Sequence, residues 1–530
     1  MLTTVLQQLV VVDVLLATLA GVIVGLIIGA MPGLNVTMAI ALMIPISLAL
    51  PTGPGIALLL GIFVAGMTGG AFSAILLNIP GTPASAATLI DGHPLAKRGD
   101  AGRALGVAVA SSSYGGAVSL IVLVLVAPQL ATVAGRFGPP EVFSLVLLGV
   151  LIIAGVSSES LTKGLIATAL GLFVMTIGLD PLTSTPRMTF GVVELQRGVS
   201  LIPAMIGLFA VPQVLGELSF RKAEAITALR SKLGRMLPSA ADLRKAFPAM
   251  NRSAAIGTAL GIVPGTNGAV AAFMSYEVSR RVAKDSSEFG KGDVRGIASA
   301  EASNNGITGG AMVPLMTLGI PGDNITAVLL GALLLHGLAP GPLLFEESPD
   351  VVALIFAALL IANVLTVIVS FAGIRAFVKV LNVPKHILLP SILVLSVAGA
   401  FAVRGSLFDV WVMIAFGVLG FLMTRYGFPI IPVLIGIVLG PALEGNFRRS
   451  LAISRGDHTV FFTRPISLAL LITTVVVVFG PALWRWARRD PRIVPGEGFG
   501  AVKAAAPTAG GRPDGVDALD PEGPDGPKVG

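Results

Sequence analysis

Apolar positions along this chain come in long unbroken runs, many about 20 residues in length, which is what an α-helix needs to cross a bilayer core of roughly 30 Å. Val351 to Phe371 is one such run, and polar and apolar positions do not alternate within it. A membrane β-barrel would instead show alternating segments of about 10 residues. The pattern therefore predicts an all-α polytopic membrane protein. Short polar or Pro-Gly segments interrupt the runs, and the functional reading begins there.

Aligning the chain with itself matches four blocks in the same order. GVIVGLIIGAMPGLN places Gly21, Gly25, Gly29 and Gly33 at a four-residue spacing, and SAAIGTALGIVPGTN repeats it with Ser253, Gly257, Gly261 and Gly265. Pro32 falls on Pro264 and Asn35 on Asn267. GMTGGA (66–71) matches GITGGA (306–311), NIPG (78–81) matches GIPG (319–322), and LIPAMIGLFAVP (201–212) matches IIPVLIGIVLGP (430–441). Duplication of this kind underlies many transporter folds. Small residues at every fourth position make a smooth helix face, which reads as close packing in lipid. Four breaks read differently: Pro32-Gly33-Leu34-Asn35, Pro80-Gly81-Thr82-Pro83, Pro264-Gly265-Thr266-Asn267 and Pro321-Gly322-Asp323-Asn324. Inside an apolar run each frees backbone groups, which a membrane tolerates only where protein buries them or where they line a cavity. Matched breaks in two halves point to a transport site.

Composition sharpens the class. Of 530 residues, 54% are hydrophobic and 12% charged, against about 25% charged in soluble domains, which excludes a soluble globular protein. The absence of cysteine excludes disulfides, thiolate metal sites and a cysteine nucleophile. A net charge of +7 would suggest nucleic acid in a soluble chain. Here the basic residues fall between apolar runs and act as topology signals, so lipids, and no nucleic acid, are the expected surroundings. Residues 221–252 carry eight basic residues against Glu224 and Asp242 and are expected in the cytoplasm. Residues 277–295 add Arg280, Arg281, Lys284, Lys291 and Arg295 after a single short broken run, which implies a re-entrant hairpin. The first-half counterpart, PTGPG at 51–55, is uncharged. After the second break the bias swaps: residues 91–103 carry Lys97, Arg98 and Arg103, whereas 336–350 carry no Lys or Arg. Opposite bias at equivalent loops predicts two inverted-topology repeats with re-entrant hairpins and discontinuous helices. The expected organisation is an N-terminal apolar helix at 1–19, a first transmembrane repeat at 20–219, a basic cytoplasmic connector at 220–252, a second repeat at 253–489 and a disordered tail at 490–530. The N-terminal run lacks a basic n-region and a cleavage site and does not read as a removed signal peptide. The stretch Arg448 to Arg464, with four Arg, runs against this topology.

The blocks PGLN, NIPGTPAS, DGHPLAKRGDAGRALG, PGTN, EASNNGITGGAMVPLMTLGIPGDN and HGLAPGP resemble the large membrane subunit of the tripartite tricarboxylate transporters, the TctA family. The similarity covers nearly the whole chain up to about residue 490. It implies a bacterial inner-membrane secondary transporter that works with a small transmembrane subunit and a periplasmic solute-binding protein. Such a system imports di- or tricarboxylates on a Na⁺ or H⁺ gradient. Composition and spacing reveal neither the partners nor the particular carboxylate.

An organic anion at the membrane centre needs hydrogen-bond donors, and the repeat cores contain almost no Lys or Arg. The expected donors are backbone N–H groups at half-helix N-termini together with Asn35, Thr37, Thr82, Ser85, Asn267, Asn304, Asn305 and Asn324. Gly81, Gly265 and Gly322 are expected to let the backbone approach the ligand. Taken singly, each Asn or Thr reads equally as the cap of a broken helix. A coupling ion would use oxygen, and Asp323, Glu301 and Thr308 are the candidate proton carriers or Na⁺ ligands. No other cofactor is expected. His93, His336, His386 and His458 are expected in loops and lack metal-ligand spacing. Neither a GxxxxGK[ST] phosphate loop nor HExxH or GxSxG occurs, so an ATPase or hydrolase is not expected. The alternatives are a passive anion channel and a membrane enzyme acting on a lipid-linked substrate.

Overall fold

The computed structural model describes residues 2–156, 160–180, 183–219, 236–380 and 385–488, most of them helical. Helix α1 (Leu2–Gln8) leads into α2 (Val12–Ala30), α3 (Val36–Leu48), α4 (Thr52–Leu77) and α5 (Ser85–Leu95). A kinked turn over residues 96–100, with Gly99 at φ +97°, carries α5 into α6 (Ala101–Ala134). Then come α7 (Pro139–Val156), α8 (Leu161–Met175), α9 (Val193–Gln196) and α10 (Leu201–Ser219). The second half runs through α11 (Ala240–Ile262), α12 (Gly268–Val282), α13 (Val294–Leu318), α14 (Asn324–Leu335), α15 (Leu344–Glu347) and α16 (Pro349–Val380). It ends with α17 (Lys385–Arg404), α18 (Leu407–Arg425), α19 (Ile431–Ile453), α20 (Val460–Thr463) and α21 (Pro465–Arg488). Among the described residues the strands are β1 (Gly178–Leu179) and its antiparallel partner β2 (Pro186–Arg187). Among the described residues seven helices are long and apolar enough to cross a membrane, as an all-α polytopic membrane protein requires.

Small-residue stripes set the packing. Helix α2 lies along α4, and α11 lies along α13. A side chain at Gly25 would meet the Ile62 carbonyl oxygen at 2.7 Å, one at Gly310 the Thr258 carbonyl oxygen at 2.5 Å, and one at Gly257 would overlap the Ser303 carbonyl. Backbone therefore touches backbone at both places, which is how helices associate where lipid offers no hydrophobic driving force. The fully buried α4 and the buried α13 form the centre, with α16 packed along α4 and α6 along α13.

Polar contacts mark two opposite ends of this core. At one, Arg103 pairs with Asp242, Lys245 with Asp293, and Arg295 with Asp293. Here too the buried Asp91 of α5 accepts the Gly290, Gly292 and Asp293 N–H groups at 2.8 to 2.9 Å and the Tyr276 hydroxyl of α12 at 2.8 Å. Both ends of the α11–α12 pair thus lie at this basic end. At the other end, Ser47 Oγ closing α3 sits 3.1 Å from His336 Nε2 closing α14.

Several sequence expectations change. Helix α2 runs through the boundary expected at 19/20. His93 lies buried within α5, its Nδ1 3.0 Å from the Ile75 carbonyl, where a loop was expected; the chain turns only at 96–100, around Gly99, between α5 and α6. Two of the four arginines that run against the charge pattern have acidic partners: Arg448 with Asp180 and Glu444, and Arg464 with Glu141. Residues 220–235 of the connector and the tail from 489 lie outside the described residues.

Gly257→Val should lower the thermal unfolding temperature in detergent markedly, since overpacking a tight contact costs about 1–3 kcal/mol or more. Gly216→Ala, with nothing within 4 Å of the added carbon, should leave it within about 2 °C of the wild type.

Candidate functional site

Each Pro-Gly break ends one helix and begins another at a polar residue. Asn35 is extended (φ −134°, ψ 159°), and its Oδ1 accepts the Met38 N–H at 2.7 Å as the N-cap of α3. Asn267 (φ −128°, ψ 161°) accepts the Val270 N–H at 3.0 Å and caps α12 in the same way. The other two breaks share a reciprocal cap. Ahead of α5, Ser85 Oγ accepts the Thr82 N–H at 3.1 Å while Thr82 Oγ1 accepts the Ser85 N–H at 3.3 Å. Ahead of α14, Thr326 Oγ1 accepts the Asp323 N–H at 2.9 Å and Asp323 Oδ1 accepts the Thr326 N–H at 2.8 Å. Such caps satisfy one or two of the four N–H groups that a helix start leaves unpaired.

All four starts meet around one cavity of about 170 Å³. Its walls are Asn35, Val36 and Thr37 of α3, Thr82 to Ala84 before α5, Asn267 to Ala269 of α12, Asp323 to Ile325 of α14, and Met67 of α4. A water needs about 10–15 Å³ on this measure, so the space suits a small organic molecule. The lining contains no Lys, Arg or His. Each helix start carries about half a positive charge, so four give on the order of +2. Asp323, the one acidic wall residue, has its carboxylate turned to its own helix start. Thr37 and Asn324 make no side-chain hydrogen bond among the described residues and are open to a ligand.

A second polar layer lies on α13. Asn304 Nδ2 donates to the Met67 carbonyl at 3.1 Å. That fixes the amide with Oδ1 beside Gly268 of the cavity wall, where it has no partner. Asn305 Oδ1 accepts from Thr68 Oγ1 at 3.1 Å, and its Nδ2 donates to the Glu301 carbonyl at 3.3 Å. Thr308 Oγ1 donates to the Asn305 carbonyl at 2.6 Å. Glu301 itself is fully buried. Its Oε1 accepts from Thr88 Oγ1 of α5 at 2.5 Å and its Oε2 from Ser112 Oγ of α6 at 2.7 Å.

Of the residues singled out in the sequence, Asn35, Thr37, Thr82, Asn267, Asp323 and Asn324 line the cavity. Glu301, Asn304, Asn305 and Thr308 form the layer beneath, and Ser85 serves the cap. The three glycines differ from expectation. A side chain at Gly81 would run into Gly29, Ser73 and Gly70, and one at Gly322 into Ala311 and the Gly261 carbonyl oxygen at 2.6 to 2.7 Å. Gly265 adopts φ +86° and donates its N–H to the Gly322 carbonyl at 2.9 Å. They seat the breaks against the small-residue stripes instead of admitting a ligand. Thr68, Thr88 and Ser112 were not singled out. Thr68 carries a legible signal, because GMTGGA places it opposite Thr308 of GITGGA. A lone hydroxyl on an apolar helix carries none, since it usually bonds its own helix.

The profile of the tripartite tricarboxylate transporter TctA family matches residues 15–435. An uncharacterized 52.8 kDa protein in the TAR-I ttuC' 3'region of Agrobacterium vitis is 36% identical over 466 residues, covering 87% of this chain and 92% of the relative. An uncharacterized protein in the TAR-II ttuC' 3'region of the same organism is 39% identical over 222 residues, covering 42% of this chain and 92% of the relative. No solved structure matches.

If Asn267 works as a cap, Asn267→Ala should destabilise the ligand-free protein by about 1 kcal/mol while Asn267→Ser stays close to wild type. Thermal unfolding in detergent measures both, and equal midpoints for wild type and Asn267→Ala would show that the cap contributes nothing.

Proposed function

The chain belongs to the tripartite tricarboxylate transporter TctA family, and from this premise we propose that it is the large membrane subunit of a binding-protein-dependent secondary transporter. In this reading it imports di- or tricarboxylates through the cavity where the four half-helices begin. One observation carries the reading: four helix N-termini from both halves of the chain converge on a cavity whose walls hold no cationic side chain. Such a site attracts a small multivalent anion by backbone donors and still lets it go, since no Arg or Lys clamps it. Thr37 and Asn324 supply the side-chain donors, while Asn35, Thr82, Ser85, Asn267 and Asp323 hold the half-helices in place.

The inverted repeat is part of the same proposal. Helix α3 leads away from the cavity to Ser47, and its repeat counterpart α12 leads to Tyr276 at the basic end. Helix α5 likewise reaches the basic end at Asp91, and its counterpart α14 ends at His336 beside Ser47. Equivalent elements pointing opposite ways support two oppositely oriented halves, and the positive charge at Arg103, Lys245 and Arg295 supports placing that end in the cytoplasm. A bacterial inner membrane, a small transmembrane subunit and a periplasmic solute-binding protein complete the proposed assembly. With no nucleotide-binding motif in the sequence, the energy source proposed is an ion gradient.

Counterflow in proteoliposomes containing the partner subunits tests the reading, using labelled citrate, tartrate, glutamate and terephthalate. At least one should exchange saturably and emerge chemically unchanged. A flux that never saturates would replace the carrier with a pore, and altered product would replace it with an enzyme. Asn324→Ala and Thr37→Val should each weaken half-saturation about tenfold to a hundredfold, the cost of a hydrogen bond of about 1.5–3 kcal/mol to a charged group.

A further inference from the structure

Glu301 is buried among hydroxyls with no cation beside it, an arrangement that structural capping does not require. We propose that Glu301 carries the coupling proton, so that each imported carboxylate moves with H⁺ bound and released at this side chain. The inference rests on the transport reading above and adds to it the identity of the ion and its carrier.

The partners set the chemistry. Thr88 Oγ1 and Ser112 Oγ sit at direct hydrogen-bond distance from the two carboxylate oxygens, 2.5 and 2.7 Å. A hydroxyl both donates and accepts. With the carboxylate ionised, both hydroxyls donate to it. Once a proton bonds to one Oε, that oxygen becomes a donor, its hydroxyl partner turns to accept, and the other hydroxyl goes on donating. The same shell thus serves both protonation states without moving a backbone atom. An Arg or Lys partner would instead hold the charged state permanently.

No surrounding element supplies a counter-charge. Helix α4 contains no titratable residue. On α5, Asp91 is taken by Tyr276 and three backbone N–H groups, and His93 lies against the Ile75 carbonyl. On α6, Arg103 pairs with Asp242 of α11, and the Tyr114 hydroxyl donates to Asn251. Helix α11 further carries Arg244, Lys245 and Arg252, and α12 carries Glu277, Arg280 and Arg281. On α13 itself Arg295 pairs with Asp293; Asp323 caps α14, and α15 contributes Glu346 and Glu347. Among the described residues none of these forms an ion pair with Glu301. An isolated charge in such a place is expensive, and taking up a proton removes it.

Position connects this group to the cavity. Thr88 lies on α5, whose leading turn, Thr82 to Ala84, lines the cavity and which is latched at its far end through Asp91. Glu301 joins that helix to α13, and Asn304 links the next turn of α13 to Met67 of the cavity wall. An anion arriving at the start of α5 and a proton arriving at Glu301 therefore act on the same short helix. Asp323 is less suited to the task, because its carboxylate already caps α14.

The test uses the full chain with its partner subunits in proteoliposomes and the four labelled carboxylates named above, in Na⁺-free buffer. An inward gradient of one pH unit supports about tenfold accumulation per proton carried. The wild type should accumulate substrate in that way, and a protonophore should abolish it. Glu301→Gln imitates the protonated side chain; it should keep counterflow within about threefold of wild type and lose the gradient-driven accumulation. Accumulation by Glu301→Gln equal to wild type would overturn the proposal. So would wild-type accumulation that requires Na⁺ and ignores the pH gradient, a result independent of whether the variant folds. Absence of wild-type counterflow with every substrate would remove the transport reading and the proton proposal together.

Discussion

A backbone N–H or C=O released by a helix break inside a bilayer has no water to turn to, and this constraint organises the whole molecule. The chain breaks its membrane helices at four Pro-Gly sites, and the breaks are closed in two matched pairs by the same few devices. A short polar side chain caps the new helix, and a glycine lets the turn nest against a neighbouring backbone, as Gly265 does on the Gly322 carbonyl. The donors these devices do not use surround a shared cavity. Small-residue stripes on α2 and α11 are a consequence, because only a close helix face can seat the turns at Gly81 and Gly322.

That economy explains the composition of the site. A cavity walled by arginine or lysine would carry full charges that must be desolvated in every conformation, whereas helix starts provide fractional charge from groups the fold already contains. It also separates two kinds of polar residue that look alike in the chain. Asn267 is occupied by its own helix and sustains the architecture, while Asn324 lines the cavity with its side chain unengaged. Glu301 stands apart from both, one layer down, where it links α5 and α6 to α13 across the boundary between the halves.

Much of this was legible in the residues. Apolar run length gave the membrane class, and self-alignment located the breaks, since Pro-Gly followed by a polar residue leaves a local mark. What the glycines do was not legible. Gly81 near a ligand and Gly81 near Gly29 are the same letter, and only packing distinguishes them. The helical path of residues 91–95 was hidden by a composition of Gly, Pro and charge that normally signals a loop, although burial of Asp91 and His93 overrides it. The Thr88 and Ser112 partners of Glu301 were invisible because they come from other helices, at separations of 213 and 189 residues.

The central claim is that substrate binds among the four helix starts. The native chain has no cysteine, so a single cysteine can be introduced at Ala269 or Ile325 in the cavity wall and, as a control, at Gly216, which has open space around it. Labelling of transport-active protein with a small thiol reagent should slow about tenfold or more at Ala269 and Ile325 when the transported carboxylate is saturating, and should not change at Gly216. Unchanged labelling at both wall positions in variants that still transport would place the substrate elsewhere and contradict the account.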